Sequence, residues 1–573
     1  MKYLTKLNKN IYESLTFMLF IISTLLTYII GELYFFVSNS TDFNKYIKYI
    51  EYFQFTSDST YTGQGLIYYY LVSLVSFLRK NEATNLNYSN FINSNVHLTN
   101  FLLYLIGIYG FYKLLSRYNY SKTSIFLSFT VLNFSLPIFI MRSILKPEIL
   151  AFSLLPWIYL GLKLYFEKPT LLNFIYLTPL ISIILNIKGS ITGMVALLLF
   201  ASFYKYIGKN YKLNIFCFLL TLLSFFIIFN ENSKVNDYNV FEHNLSEEIK
   251  YNNKATLNFF NTINFRDLYF FPVSPYHNNS AVGITLLDTF GDYFNIFTNY
   301  DEHLFFHKTS ENFLNQIEDP RGFRLGNYII NYWAIILTVI FYFCAFVYSY
   351  KYRKKWTYYL APLFGIFIVS LSALGIPFNH FDPNVGDTLK TNYYSFLIGF
   401  SIIFITATYF QNKSFLKIIT LFSFIFMFFI SLGFPKENQN NINFYLQEKI
   451  ELSPLCVLSS KLVEDFESQN CFDREIKFCD YNLASNEAKN VNDEKIKIIS
   501  LSSNNKIIFL DDDKKIYAES FDVCSALVSD NYLAYNPQLE NLRPLPFFNF
   551  VFIISSVFSI IFLSLVKKEN YSL

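Results

Sequence analysis

The chain has 573 residues, 53% of them hydrophobic and 16% charged, against roughly 25% charged in soluble domains. That balance excludes an ordinary soluble globular protein and points to a chain embedded in a membrane. The net charge is only +3, and no nucleic-acid partner is expected.

Apolar stretches near the length that crosses a roughly 30 Å hydrocarbon layer are expected at 13–37, 97–115, 123–141, 149–166, 171–188, 190–207, 213–230, 327–349, 358–376, 393–411, 415–433 and 546–566. The first follows Lys2, Lys6 and Lys9. It is too long for an export signal and lacks a small-residue cleavage site, so it reads as a retained anchor.

Outer segment 38–96 contains "FTSDSTYTGQGLIYYYLVSLVSF" (55–77), in which Asp58 precedes an apolar ribbon. Its length and the Tyr68, Tyr69 and Tyr70 cluster predict a helix lying along the outer interface, tyrosines at headgroup depth, rather than a further crossing. A carboxylate at the membrane surface that faces a desolvated cleft is suited to accept a proton. A helix-capping or solvated aspartate is the bland alternative for Asp58, and Asp42 and Glu51 in the same loop are rival bases.

After the third crossing comes "MRSILKPEIL", with Arg142, Lys146 and Glu148. Arg142 and Lys146 are four apart and share a helical face if the helix persists that far. Such a pair suits a lipid phosphate held by charge-assisted hydrogen bonds, with Glu148 orienting one cation, while headgroup anchoring explains either residue singly. Lys188 in "NIKGS" ends the fifth crossing, Arg321 and Arg324 precede the eighth, and Lys390 in "GDTLKTNYYSF" stands at the start of the tenth.

In outer segment 231–326, "LLDTFGDYFNIF" spaces Asp288 and Asp292 four apart among aromatics, as in an interfacial helix presenting carboxylates to a sugar or a divalent ion. A partly buried amphipathic loop is the plainer reading. His303 and His307 have the i,i+4 separation of a metal pair but lack a third ligand or a HExxH pattern. His380 and Asp382 are candidates for acceptor hydroxyls.

The last outer segment, 434–545, carries Cys456, Cys471, Cys479 and Cys524, which suits an oxidising compartment with up to two disulfides in any of three pairings. Its "KIKIISLSSNNKIIFLDDDKKIYAESF" predicts a small β-rich or α+β unit. Cys217 and Cys344 fall within crossings as small apolar residues. The expected fold is therefore an all-α polytopic membrane protein of about twelve transmembrane helices with a small outer β-rich segment. Its parts are a membrane region 1–433, an extracytoplasmic domain 434–545, and a final crossing with its tail, 546–573.

With the amino terminus inside, every short-loop cluster falls on the cytoplasmic side. These are Lys113, Arg117 and Lys122; Lys163 and Lys168; Lys205, Lys209 and Lys212; Lys351, Arg353, Lys354 and Lys355; Lys413 and Lys417; and Lys567 and Lys568. Both termini are then cytoplasmic and all six histidines lie at or beyond the outer face.

This arrangement resembles the polytopic glycosyltransferases of the GT-C fold that use polyprenyl-phosphate-linked sugars. The resemblance rests on Asp58 after the first crossing, followed by "GQGLIYYYLVSLVSF" like the family's juxtamembrane helix. It rests also on Arg142 with Pro147 and Glu148, on Lys390 with Tyr393 or Tyr394, and on "GDYF". Gly63, Gln64 and Gly65 stand where the family has prolines. The resemblance covers residues 1 to about 430 by topology. It implies an inverting transfer at the outer face of a bacterial plasma membrane, from a polyprenyl-phosphate donor to a hydroxyl of a glycan, lipid or protein. Asp58 would be the base, with Arg142, Lys146 and Lys390 on the departing phosphate and Glu148, Arg324, His380 and Tyr393 as further substrate contacts. No cofactor is certain; a divalent metal ion is possible at Asp288, Asp292, His303 and His307. A flippase for lipid-linked saccharides, or a noncatalytic envelope assembly protein, are the alternatives.

Overall fold

The computed structural model describes residues 2–34, 46, 49–50, 52–54, 64–80, 88–204, 210–235, 254–270, 272, 277, 279–291, 325–376, 389, 391–411, 416–431, 542–566 and five short strands between 455 and 520. Its helices are α1 (Lys2–Tyr34), α2 (Leu66–Leu78), α3 (Tyr88–Arg117), α4 (Lys122–Asn133), α5 (Leu136–Ser143), α6 (Glu148–Glu167), α7 (Leu171–Ile175), α8 (Thr178–Leu185), α9 (Gly189–Phe203) and α10 (Tyr211–Val235). Beyond these come α11 (Ala281–Asp288), α12 (Leu325–Lys351), α13 (Trp356–Tyr359), α14 (Ala361–Ala373), α15 (Ser395–Gln411), α16 (Leu416–Ser431) and α17 (Phe547–Leu565).

The chain is a multi-pass, mostly helical membrane protein. Among the described residues, seven helices are long and apolar enough to cross a bilayer, and up to nine crossings result if each of two bent pairs counts as one. The expected twelve is thereby corrected. Three of the expected crossings, 171–188, 190–207 and 415–433, fall on shorter apolar helices. Hydropathy runs on through residues where the helix stops. The chain breaks between α7 and α8 at Tyr176–Leu177, ahead of Pro179, and again at the Asn186 cap.

The bent pairs have local causes. The chain turns by 66° between α4 and α5, where Pro137 occupies the first turn of α5 and supplies no amide hydrogen to continue the ladder. It turns by 53° into α14, which likewise opens on a proline, Pro362.

The expected β-rich unit is corrected as well. Within 434–545 the described elements are only five short strands, Leu455–Val457, Ile476–Phe478, Lys497–Leu501, Ile507–Leu510 and Ile516–Ser520. They run in the order β2-β1-β3-β4-β5, the first three mutually parallel and the last two antiparallel. Among the described residues the buried core is built from helices and their connections, and the fold is that of a helical membrane protein. The expected disulfides fall on side chains outside the described residues; Cys217 and Cys344 are free.

The core lies where α3, α6 and α15 meet, with Phe111 packed on Phe152 and Phe400. Gly110 lets α3 approach α6, since a Cβ there would stand 2.8 Å from the Trp157 indole nitrogen, the close backbone approach that small residues permit in membranes. By contrast α10, α12 and α17 turn Phe218, Phe226, Phe343 and Phe558 outward, as lipid-facing helices do.

The basic connections gather at one end. Arg117 pairs with Glu167, Lys163 lies 3.1 Å from the same carboxylate, and Lys355 sits over the Tyr118 ring at 4.5 Å. Lys113 donates to the Ser564 carbonyl at 2.7 Å. The other end of α6, about 30 Å away at 1.5 Å per residue, begins with Glu148.

Candidate functional site

The site is built around a break in the chain. Pro147 has no amide hydrogen for the Ser143 carbonyl, and its ring would clash with that carbonyl in a continued helix, so α5 stops at Ser143 and Ile144 is extended at φ −113° and ψ 154°. Asn100 on α3 holds this break open by donating to the Arg142 and Ile144 carbonyls at 3.1 and 2.9 Å. Its own carbonyl accepts from the Tyr68 hydroxyl at 2.9 Å. Burial, and next the Glu148 charge, push the Tyr68 phenol well above the ordinary tyrosine range, which keeps it a neutral donor to Asn100.

Tyr68 and Tyr69 are thus buried inside the protein. Tyr69 donates to Gln64 at 2.7 Å.

After the break, α6 opens on Glu148, a carboxylate in the first turn where the helix dipole favours it. Lys188 comes from the reversal between α8 and α9. Gly65 makes that reversal possible: its amide donates to the Ile187 carbonyl at 3.0 Å, and a Cβ on Gly65 would stand 2.2 Å from the Asn186 carbonyl oxygen. From there Lys188 reaches Glu148 Oε1 at 3.2 Å and the Tyr46 hydroxyl at 3.4 Å, with its ammonium 4.0 Å from the Tyr393 ring centre. The Lys146 ammonium lies 5.6 Å from the same ring and 5.9 Å from that of Tyr46. Two lysines from separate turns therefore flank one tyrosine pair.

Beside them is a cleft whose lining includes the polar residues Lys146, Glu148, Asp288, Thr391 and Asn392 and the apolar residues Pro137, Ile140, Met141, Ile144 and Ile398. Three buried polar atoms in the lining lack hydrogen-bond partners among the described residues. Glu148 is 1% exposed and its Oε2 is unpaired, as are both amide atoms of Asn392. Buried polar groups are ordinarily paired, so these atoms suit a ligand carrying both donors and acceptors.

Lys146, Glu148 and Asp288 line the same cleft and Tyr393 lies beside Lys146, whereas the sequence suggested Asp288 as a carboxylate for a sugar or a divalent ion. Arg142 is not with them. Its guanidinium stacks 4.3 Å from the Tyr104 ring and donates to Thr27 Oγ1 at 3.2 Å, on α3 and α1, so the shared helical face expected for Arg142 and Lys146 is corrected: the helix ends between them. His97, expected at the outer face, is buried with Nε2 3.0 Å from the Tyr28 carbonyl. Asp58, Asp42, Glu51, Arg324, His380, Asp382, Lys390, Asp292, His303 and His307 lie outside the described residues. Among the described residues no group of three His, Cys, Asp or Glu side chains has the arrangement of a metal site. Lys188 is the addition: "NIKGS" marked a reversal carrying a cation, but only the fold returns that cation to Glu148.

No family model, curated protein or solved structure matches this chain.

Proposed function

We propose that the chain is an inverting glycosyltransferase that moves a sugar from a polyprenyl-phosphate donor to an acceptor hydroxyl at this cleft. The observation that carries the reading is the convergence of Lys146 and Lys188 on one tyrosine ring beside a cleft lined by both apolar and polar side chains. A lipid phosphate calls for fixed cations against an apolar chain-binding surface, and a sugar calls for unpaired buried donors and acceptors such as those of Asn392 and Glu148.

In this mechanism the acceptor oxygen attacks the anomeric carbon from the face opposite the phosphate. The bond between that carbon and the phosphate oxygen breaks, and polyprenyl phosphate leaves with the electron pair. Lys146 and Lys188 balance its charge. The acceptor proton passes to a carboxylate, assigned to Asp58, while Asp288 at the cleft orients the acceptor. With the basic connections on the cytoplasmic side, the cleft opens on the extracytoplasmic face of a bacterial plasma membrane and both termini are inside.

The test is incubation of the protein, purified in lipid, with a panel of polyprenyl-linked sugars, followed by mass spectrometry. A glycosylated acceptor together with released polyprenyl phosphate supports transfer; neither product from any donor rejects it. A second reading, movement of a lipid-linked saccharide across the bilayer, is favoured by the two bent helix pairs, since broken helices mark transporter sites. It is distinguished by donor crossing liposome membranes without any acceptor.

A further inference from the structure

A second, smaller cavity lies where the ends of α8 and α10 meet the start of α17. Asn186, Asn232 and Asn549 all line it, they are 9%, 6% and 0% exposed, and the side-chain carbonyl oxygen of each has no partner among the described residues. Two of these amides have their orientation set by their nitrogens. Asn186 Nδ2 donates to the Ser182 and Phe225 carbonyls at 2.9 and 3.2 Å, and Asn549 Nδ2 donates to Glu231 Oε2 at 2.9 Å. Turning either amide over would set oxygen against oxygen.

Three residues of the lining thus carry an unpaired side-chain acceptor, and among the described residues none of its buried side-chain donors is unpaired. A single water donates two hydrogens and leaves one oxygen unmet; a hard cation satisfies all three, because neutral oxygens are its natural ligands. The surroundings are also negative. Asn186 caps the carboxyl end of α8 and Asn232 lies in the last turn of α10, the ends where helix dipoles favour positive charge. The Glu231 carboxylate holds the Phe548 and Asn549 amides at 2.8 Å each, one bond network from the Asn549 oxygen.

We propose that Asn186, Asn232 and Asn549 bind a monovalent cation, Na⁺ or K⁺, which ties α8, α10 and α17 together. The cavity also contains Gly65 and Ile187, so the bound ion braces the reversal that presents Lys188. This proposal does not depend on the transfer reaction.

The test compares thermal unfolding of the purified full chain in NaCl, KCl and N-methylglucamine chloride at equal ionic strength. The expected result is a saturable rise of several degrees with Na⁺ or K⁺ over the bulky cation, lost in Asn232→Leu. In Asn232→Asp, added ligand charge lowers the half-saturating concentration by about tenfold. Equal midpoints in all three salts overturn the site, as does a rise that persists in a folded Asn232→Leu. Should Asn232→Leu fail to fold, the unmodified chain and Asn232→Asp still decide the question.

Discussion

Lys188 and Glu148, forty residues apart, meet with 3.2 Å between Nζ and Oε1, at the point where α6 begins and the chain reverses into α9. Glu148 has its other oxygen unpaired, so Lys188 is its one ionic partner among the described residues. Removing one member of a buried pair strands the other charge.

Lys188→Ala is therefore expected to destabilise the protein by about 3 kcal/mol, the lower part of the range for such losses, because the lysine side chain retains 13% exposure. The Lys188→Ala/Glu148→Ala double variant is expected to be more stable than Lys188→Ala alone. Chemical or thermal unfolding in detergent measures both, and a double variant no better than the single one shows that the pair is not coupled.

Gly65→Ala is expected to cost about 1–3 kcal/mol, the usual range for overpacking, because its Cβ meets backbone at 2.2 Å from the Asn186 oxygen and no flexible side chain is there to yield. Since the displaced turn carries Lys188, donor binding is expected to weaken along with stability. Unfolding and donor titration on the same sample check this; unchanged values on both show that the contact relaxes freely.

Asn100→Leu removes two hydrogen bonds to the carbonyls of the break and leaves the Tyr68 hydroxyl without its acceptor. A loss of about 2–4 kcal/mol follows from stranding buried groups at about 1–3 kcal/mol each, less partial relaxation. Tyr68→Phe is expected to recover part of that loss when added to Asn100→Leu, because it deletes the stranded hydroxyl. A double variant less stable than Asn100→Leu contradicts the link.

The helices were largely legible in the sequence because hydropathy reports apolar length; their breaks were less so, because one backbone turn does not alter a window average. Lys146 shows the difference. Four-residue spacing paired it with Arg142, but Pro147 ends the helix at Ser143, a signal present in "MRSILKPEIL" that the missing amide hydrogen and the ring of proline decide. Lys188 was visible in "NIKGS" as a cation at a reversal, but its partners were not: only the fold brings the distant Glu148 and Tyr46 to it.

Arg142→Met tests that division directly. The guanidinium faces Tyr104 and Thr27, and an apolar side chain of similar length in place of a buried charge is often neutral or stabilising. Donor affinity is expected to change by less than about twofold, under the roughly 1.4 kcal/mol of a tenfold effect. A large loss of donor affinity in a folded Arg142→Met returns Arg142 to the phosphate site.

The most direct measurement is product formation by lipid-reconstituted protein given a polyprenyl-phosphate-linked sugar and acceptor, comparing the unmodified chain with folded Lys146→Ala/Lys188→Met. Equimolar glycosylated acceptor and released polyprenyl phosphate are expected from the unmodified chain, with both lost in the variant. Undiminished turnover in that variant contradicts a phosphate site at the cleft.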